Sequence, residues 1–159
     1  MMIKTEQNTV YEVFLSYRHK PRDNKICKKI HTLLETFKPP RRYKKADIKR
    51  VFRDDAELPV AGVLSDTIEV SLKSSRVLLV ICSKDTPESQ WVDKEVRTFI
   101  ELGRSDKIYA LLIDDNPQTC LPPSRKLVPG IESRTFRVKY TGEGFNLKKV
   151  KEELLRVVA

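Results

Sequence analysis

The sequence predicts an α/β protein built on a five-stranded, mostly parallel sheet with helices on both faces. Three observations carry that expectation. Short apolar runs alternate with segments of helical spacing, the order in which parallel strands and their crossover helices follow one another. The run Val77-Leu78-Leu79-Val80-Ile81-Cys82 is unbroken, as a strand covered on both faces requires. At 159 residues the chain fits one domain with room for a real core.

The elements follow in order. Residues 1–9 are polar and read as a flexible tail, and residues 10–159 as a single domain. A first strand spans residues 10–17. Residues 23–37 place Ile26, Ile30, Leu33, Leu34 and Phe37 at helical spacing, and Pro39-Pro40 ends that helix. Residues 48–52 make a short second strand, followed by a polar loop over 53–62. A helix over 63–72 carries Val63, Leu64, Ile68 and Leu72. The third strand spans 76–83. Thr86-Pro87 is suited to open the next helix as cap and first residue. Residues 108–113 form a buried strand, 114–130 a long loop, 134–138 an edge strand and 145–158 a closing helix.

Residues 89–100 read as an amphipathic helix. At about 100° per residue, Trp91, Val92, Val96, Phe99, Ile100 and Leu102 share one side. Asp93, Lys94, Arg97, Glu101 and Arg104 take the other. Glu95 breaks the pattern by falling inside the apolar arc. Its neighbours three and four residues away are Trp91, Val92, Thr98 and Phe99, none of them basic. A carboxylate so placed loses hydration unless another element or a ligand supplies partners. It is therefore a site candidate, against the structural alternative of a carboxylate satisfied by a backbone amide or a distant arginine.

Composition narrows the function classes. Hydrophobic content of 40% and charged content of 33% describe a globular chain rather than a disordered one. No apolar run approaches the ~20 residues of a membrane helix, and the first ten residues lack a signal-peptide core. Cys27, Cys82 and Cys120 are odd in number and lack Cys-x-x-Cys spacing, which suits a reduced, cytoplasmic protein. The net charge of +9 favours anionic partners without choosing among them. The basic stretch 38–45 is read as a solvated loop over a nucleic-acid patch, since no recognition signature accompanies it.

Several chemistries are excluded. The five glycines form neither a dinucleotide fingerprint nor a phosphate-binding loop. Gly142-Glu143-Gly144 is read as a turn. His19 and His31 are too few and badly spaced for a metal site, and no metal is expected. His31 reads as a helix-surface residue; His19, at a strand end, is either exposed or in touch with a ligand.

In a parallel sheet, ligands bind beyond the carboxyl ends of the strands. Those ends carry Ser16-Tyr17-Arg18-His19, Phe52-Arg53-Asp54-Asp55, Ser83-Lys84-Asp85 and Asp114-Asp115, a polar edge of mixed charge.

Taken with the Glu95 helix, these segments resemble a bacterial Toll/interleukin-1 receptor (TIR) domain of flavodoxin-like topology. Val13-Phe14-Leu15-Ser16-Tyr17-Arg18 resembles the first-strand box, and Val51-Phe52-Arg53-Asp54 through Gly62 the BB-loop region. Ser74-Ser75-Arg76 leads into the third strand, and Ser89-x-Trp91-Val92-x-Lys94-Glu95 resembles the family's Trp-x-x-x-Glu helix. Leu121-Pro122-Pro123 resembles a further box. The likeness runs from about Tyr11 to the last helix.

The resemblance implies one of two functions. Some members cleave NAD⁺ at the nicotinamide–ribose bond, giving nicotinamide and ADP-ribose or a cyclic variant, in bacterial antiphage or stress signalling. Others are non-enzymatic scaffolds acting through TIR–TIR contacts, and adaptor-type members generally lack the helix Glu. Glu95 matches the family's catalytic residue, so the enzyme is the expected class, with NAD⁺ as a substrate consumed and no cofactor held. The substrate-binding set implied is Tyr17, Arg18, Arg53, Asp54, Glu57 and Trp91. Trp91 either stacks on a base or packs in the core. Arg18 and Arg53 either meet phosphates or form surface ion pairs. Asp54, Asp55 and Glu57 contact ribose or a neighbouring subunit, or are simply solvated. Self-association through contacts including the 53–62 loop is implied as well.

Overall fold

Alternating side chains give the strand β1 (Tyr11–Ser16) two apolar faces, with Val13 and Leu15 facing one side and Phe14 the other. The computed structural model describes residues 11–35, 51–53, 66–114, 120–137, 140–141 and 144–145. After β1 come α1 (Pro21–Glu35), β2 (Val51–Arg53), α2 (Asp66–Lys73), β3 (Ser75–Cys82) and α3 (Gln90–Glu101). The strands β4 (Ile108–Leu112), β5 (Thr135–Arg137), β6 (Tyr140–Thr141) and β7 (Gly144–Phe145) follow. Five strands form one sheet in the order β2-β1-β3-β4-β5, and every pairing in it is parallel.

That order creates a switch point. The chain leaves β1 for β2 on one side, then returns past β1 to β3, and everything later builds outward from there. The crevice between the carboxyl ends of β1 and β3 is where such sheets bind ligands. Helix α1 covers one face through Ile26, Cys27, Ile30 and Leu34, packed on Val13, Leu15, Val77 and Leu79. Helices α2 and α3 cover the other through Ile68, Leu72, Val92, Val96 and Phe99, packed on Phe14, Leu78 and Val80. Each such large side chain stabilises the fold by about 1.5–3 kcal/mol when fully buried.

Element boundaries depart from expectation in places. Thr86-Pro87 does not open α3; Thr86–Glu88 is a separate 3-10 turn, and Ser89 is the helix cap, its Oγ accepting from the Val92 N–H. The reason is local: Thr86 Oγ1 already accepts the Ser83 N–H, which ties Thr86 back to β3. The loop expected over 114–130 contains another 3-10 turn, Pro123–Leu127. Helix α1 starts earlier than expected, at Pro21, where a proline's missing N–H costs nothing. His31 is not merely a surface residue, since its Nε2 lies 3.0 Å from the Val51 carbonyl and ties α1 to β2. Phe145 pairs with Tyr140 in a two-stranded antiparallel ribbon and so does not begin a helix. The expected tail, the basic stretch 38–45, the body of the 53–62 loop and the rest of the closing helix lie outside the described residues.

Candidate active site

Glu95 sits in the middle of α3 on the face that carries Trp91, Val92, Val96 and Phe99, all buried. Only 2% of its surface is exposed. Its Oε1 accepts a hydrogen bond of 2.6 Å from the Ser16 hydroxyl, itself buried at the last position of β1. The carboxylate thus lies at the carboxyl end of β1, beside the switch point. Helix geometry explains the inward turn: the Ser89 cap sets where the helix starts, and four residues of its apolar face carry Glu95 toward the sheet.

Trp91, one turn earlier, is 7% exposed, and its indole N–H has no hydrogen-bond partner among the described residues. A buried donor left unpaired costs about 1–3 kcal/mol, so Trp91 keeps an unmet demand for an acceptor. Phe99, one turn later, is fully buried core, with the Arg104 guanidinium 5.8 Å from its ring centre.

The remaining predicted site residues separate. Tyr17 is buried beside β1, its ring centre 4.6 Å from that of His19. Arg18 reaches across the crevice: its Nη1 donates to the Asp85 carbonyl at 2.7 Å and to Glu88 Oε2 at 3.1 Å. That contact joins the end of β1 to the segment following β3. Arg53 ends β2 and is half-buried. Asp54 and Glu57 lie outside the described residues.

A second set of polar side chains joins Ser83 and Asp114, expected only as polar strand ends, to Arg22 and Asp23, which the sequence did not single out. Asp23, in the first turn of α1, is buried and accepts from Ser83 Oγ at 3.2 Å. Burial pushes its carboxyl above the usual range, against the opposing pull of the Ser83 bond. Asp114, just past β4, takes both Arg22 nitrogens at 2.8 and 3.0 Å and the Lys84 N–H at 2.7 Å. The Arg22 bond holds its carboxyl below the usual range. These contacts lock the rims of β1, β3 and β4 together beside the crevice. Ser16, expected only as part of a polar strand end, was missed as a site residue; the signal available was a hydroxyl closing the apolar run Val13-Phe14-Leu15.

Among the described residues no cluster of His, Cys, Asp or Glu could hold a metal ion. No helix among them is long and apolar enough to cross a membrane. An apolar cavity of about 10 Å³ between α3, β4 and the turns beyond residue 120 is lined by Val80, Val96, Ile108 and Val128. It is water-sized at most and far too small for a nucleotide.

An all-parallel sheet in this order, with a buried Glu on the third helix facing the end of the first strand, defines an α/β domain of TIR type. Residues 14–118 match the family of the Thoeris protein ThsB, TIR-like domain, and the chain belongs to that family. A curated relative, the NAD(+) hydrolase ApTIR of an Actinoplanes species, is 24% identical over 143 residues. That alignment covers 82% of this chain but 19% of the relative, so the chain spans about a fifth of that protein's length. Among solved structures, the TIR domains of the activated Roq1 resistosome recognising the effector XopQ match with a TM-score of 0.50 at 20% identity, covering 93% of this chain and 83% of that one. A prokaryotic SEFIR domain matches with a TM-score of 0.55 at 21% identity, covering 93% of this chain and 92% of that one. At these identities the structural likenesses establish the fold.

Proposed function

We propose that this domain cleaves NAD⁺ at the nicotinamide–ribose bond, releasing nicotinamide and ADP-ribose or a cyclic ADP-ribose variant, in bacterial immune or stress signalling. The observation that carries the reading is Glu95, buried on α3 and bonded to Ser16 at the carboxyl end of β1. The distant relative named as an NAD(+) hydrolase supports the substrate.

In the reaction, the bond between ribose C1′ and the pyridinium nitrogen breaks and its electron pair goes to nicotinamide, which leaves neutral. Positive charge develops on the sugar. A carboxylate beside it stabilises that oxocarbenium ion, more strongly where water is excluded. Water then adds at C1′ and loses a proton, giving ADP-ribose; attack by a nucleophile of the same molecule gives a cyclic product. Trp91, with its unmet N–H and flat face, supplies a wall for the substrate. Arg18 at the crevice rim supplies positive charge for the diphosphate.

Association between TIR domains, through contacts that include the 53–62 loop, completes the cleft in this reading. The three cysteines are buried thiols, which fits a cytoplasmic setting. The experiment is chromatography of NAD⁺ incubated with concentrated protein, wild type against Glu95→Ala. Nicotinamide release that the variant loses supports the reading. Equal release, or none from either, overturns it and leaves a scaffold that works by TIR–TIR contact.

A further inference from the structure

We infer that Ser16 is a positioning residue for Glu95, an inference that rests on the NAD⁺-cleaving reading. The bond between them, 2.6 Å, lies in the short range that hydroxyl donors reach with ionised carboxylates. Both side chains are out of solvent, at 1% and 2% exposure, so the bond is not diluted by water.

A glutamate carboxylate hangs from its helix on three rotatable bonds, and helix geometry alone sets only its general direction. Ser16 has a firmer frame. It closes β1, a strand paired on both sides, with Val80 of β3 as its register partner, and a hydroxyl there is held by the sheet itself. The bond therefore ties the carboxylate of α3 to the strand end at the switch point. It fixes one oxygen, and with it the plane in which the carboxylate meets the crevice. Misplacing a reacting group by about 1 Å can cost roughly 100-fold in rate.

The direction of donation adds a second effect. The Ser16 O–H donates to Glu95 Oε1, and a donor bond to the charged form favours that form. The ionised carboxylate is the state that stabilises positive charge on ribose. Removing the hydroxyl therefore both loosens the carboxylate and makes it easier to protonate.

The test compares wild type, Ser16→Ala, Ser16→Thr, Glu95→Gln and the Ser16→Ala/Glu95→Gln double variant, each as the full chain, for nicotinamide release from NAD⁺ across acid to neutral pH. Ser16→Ala is expected to lower kcat by about 10- to 100-fold. KM should stay within about 3-fold, because the effect falls on the transition state. The acid limb of the kcat profile moves to higher pH, and Ser16→Thr, which keeps the hydroxyl, restores both. In the Glu95→Gln background Ser16→Ala adds nothing, since residues acting as one unit are not additive.

A merely structural serine would shift the thermal midpoint without moving the acid limb. If folded Ser16→Ala keeps wild-type kcat and acid limb while Glu95→Gln is inactive, the positioning role is wrong and the enzyme reading stands. If the wild type releases no nicotinamide, both fall. Should Ser16→Ala not fold, Ser16→Cys takes its place with the same readouts, keeping the volume but offering only a weak donor.

Discussion

Ser16 and Glu95 stand 79 residues apart in the chain and 2.6 Å apart in the fold, hydroxyl to carboxylate, at the end of β1. One is the last residue of β1 and the other the middle of α3. Strand order makes the meeting possible: β3 runs beside β1, and the helix that follows β3 lies over the face carrying Phe14.

Glu95→Gln keeps shape and volume and still offers Ser16 an acceptor oxygen, so the fold should tolerate it. Its charge is gone. NAD⁺ cleavage is expected to fall by at least about 100-fold, measured as nicotinamide released per unit time, with the thermal midpoint held within a few degrees.

Ser89→Ala removes the side-chain acceptor for the Val92 N–H at the start of α3. The loss should be about 1 kcal/mol, or roughly 2–4 °C in thermal midpoint for a chain of this size. Differential scanning calorimetry checks it. A change near zero would mean that water replaces the cap.

Arg18→Gln separates two roles for one side chain. Its ion pair with Glu88 is 3.1 Å long and largely exposed on the Glu88 side, with 72% of that side chain open. Exposed pairs contribute at most about 1 kcal/mol, and losing the bond to the Asp85 carbonyl costs about 1 kcal/mol more, so stability should fall by no more than about 2 kcal/mol. If Arg18 serves the substrate diphosphate, KM for NAD⁺ rises while kcat changes little. An unchanged KM would return Arg18 to a purely structural rim contact.

Trp91→Phe removes an N–H that has no partner among the described residues. No internal hydrogen bond is lost, and most of the buried ring area stays. If the indole meets substrate, KM should rise by roughly 2- to 10-fold, equivalent to about 0.5–1.5 kcal/mol of aromatic contact. Titration of initial rates against NAD⁺ concentration reads this directly.

Acid stability follows from the rim carboxylates. The Arg22 bond lowers Asp114. For Asp93, burial pushes upward but the Arg97 and Ser124 bonds outweigh it, so it too is lowered. A lowered folded value means stability present above the unfolded value, about 3.9, and lost as pH falls through the folded one. Asp23 is raised by burial, so its share runs the other way: present below the unfolded value and lost as pH rises through the folded one. Arg22→Met should flatten the acid limb of urea midpoint against pH by releasing Asp114. An unchanged limb would show that Asp114 does not contribute to it.

Periodicity made the sheet legible before any coordinates. The unbroken run in β3, the alternation in β1 and the amphipathic pattern of α3 each follow from local burial, because side-chain direction repeats every two residues in a strand and every 3.6 in a helix. The same arithmetic turned Glu95 inward. The entry of α3 at Gln90 and the short turn at Thr86–Glu88 depend on which nearby hydroxyl takes a backbone donor, which periodicity does not report, and the parallel pairing of the edge strand β5 was not legible because it depends on groups far apart in the chain. The rim locks of Arg22 with Asp114 and Asp23 with Ser83 were hidden for the same reason.

What the chain's own pattern determined was a buried carboxylate on a helix in a parallel α/β domain. What only tertiary structure decided was its partner. A helical wheel states which way a side chain points and cannot state what waits there. Strand order brought the hydroxyl of Ser16 to Glu95, because contacts between residues far apart in sequence are set by topology, and topology is a property of the folded chain as a whole.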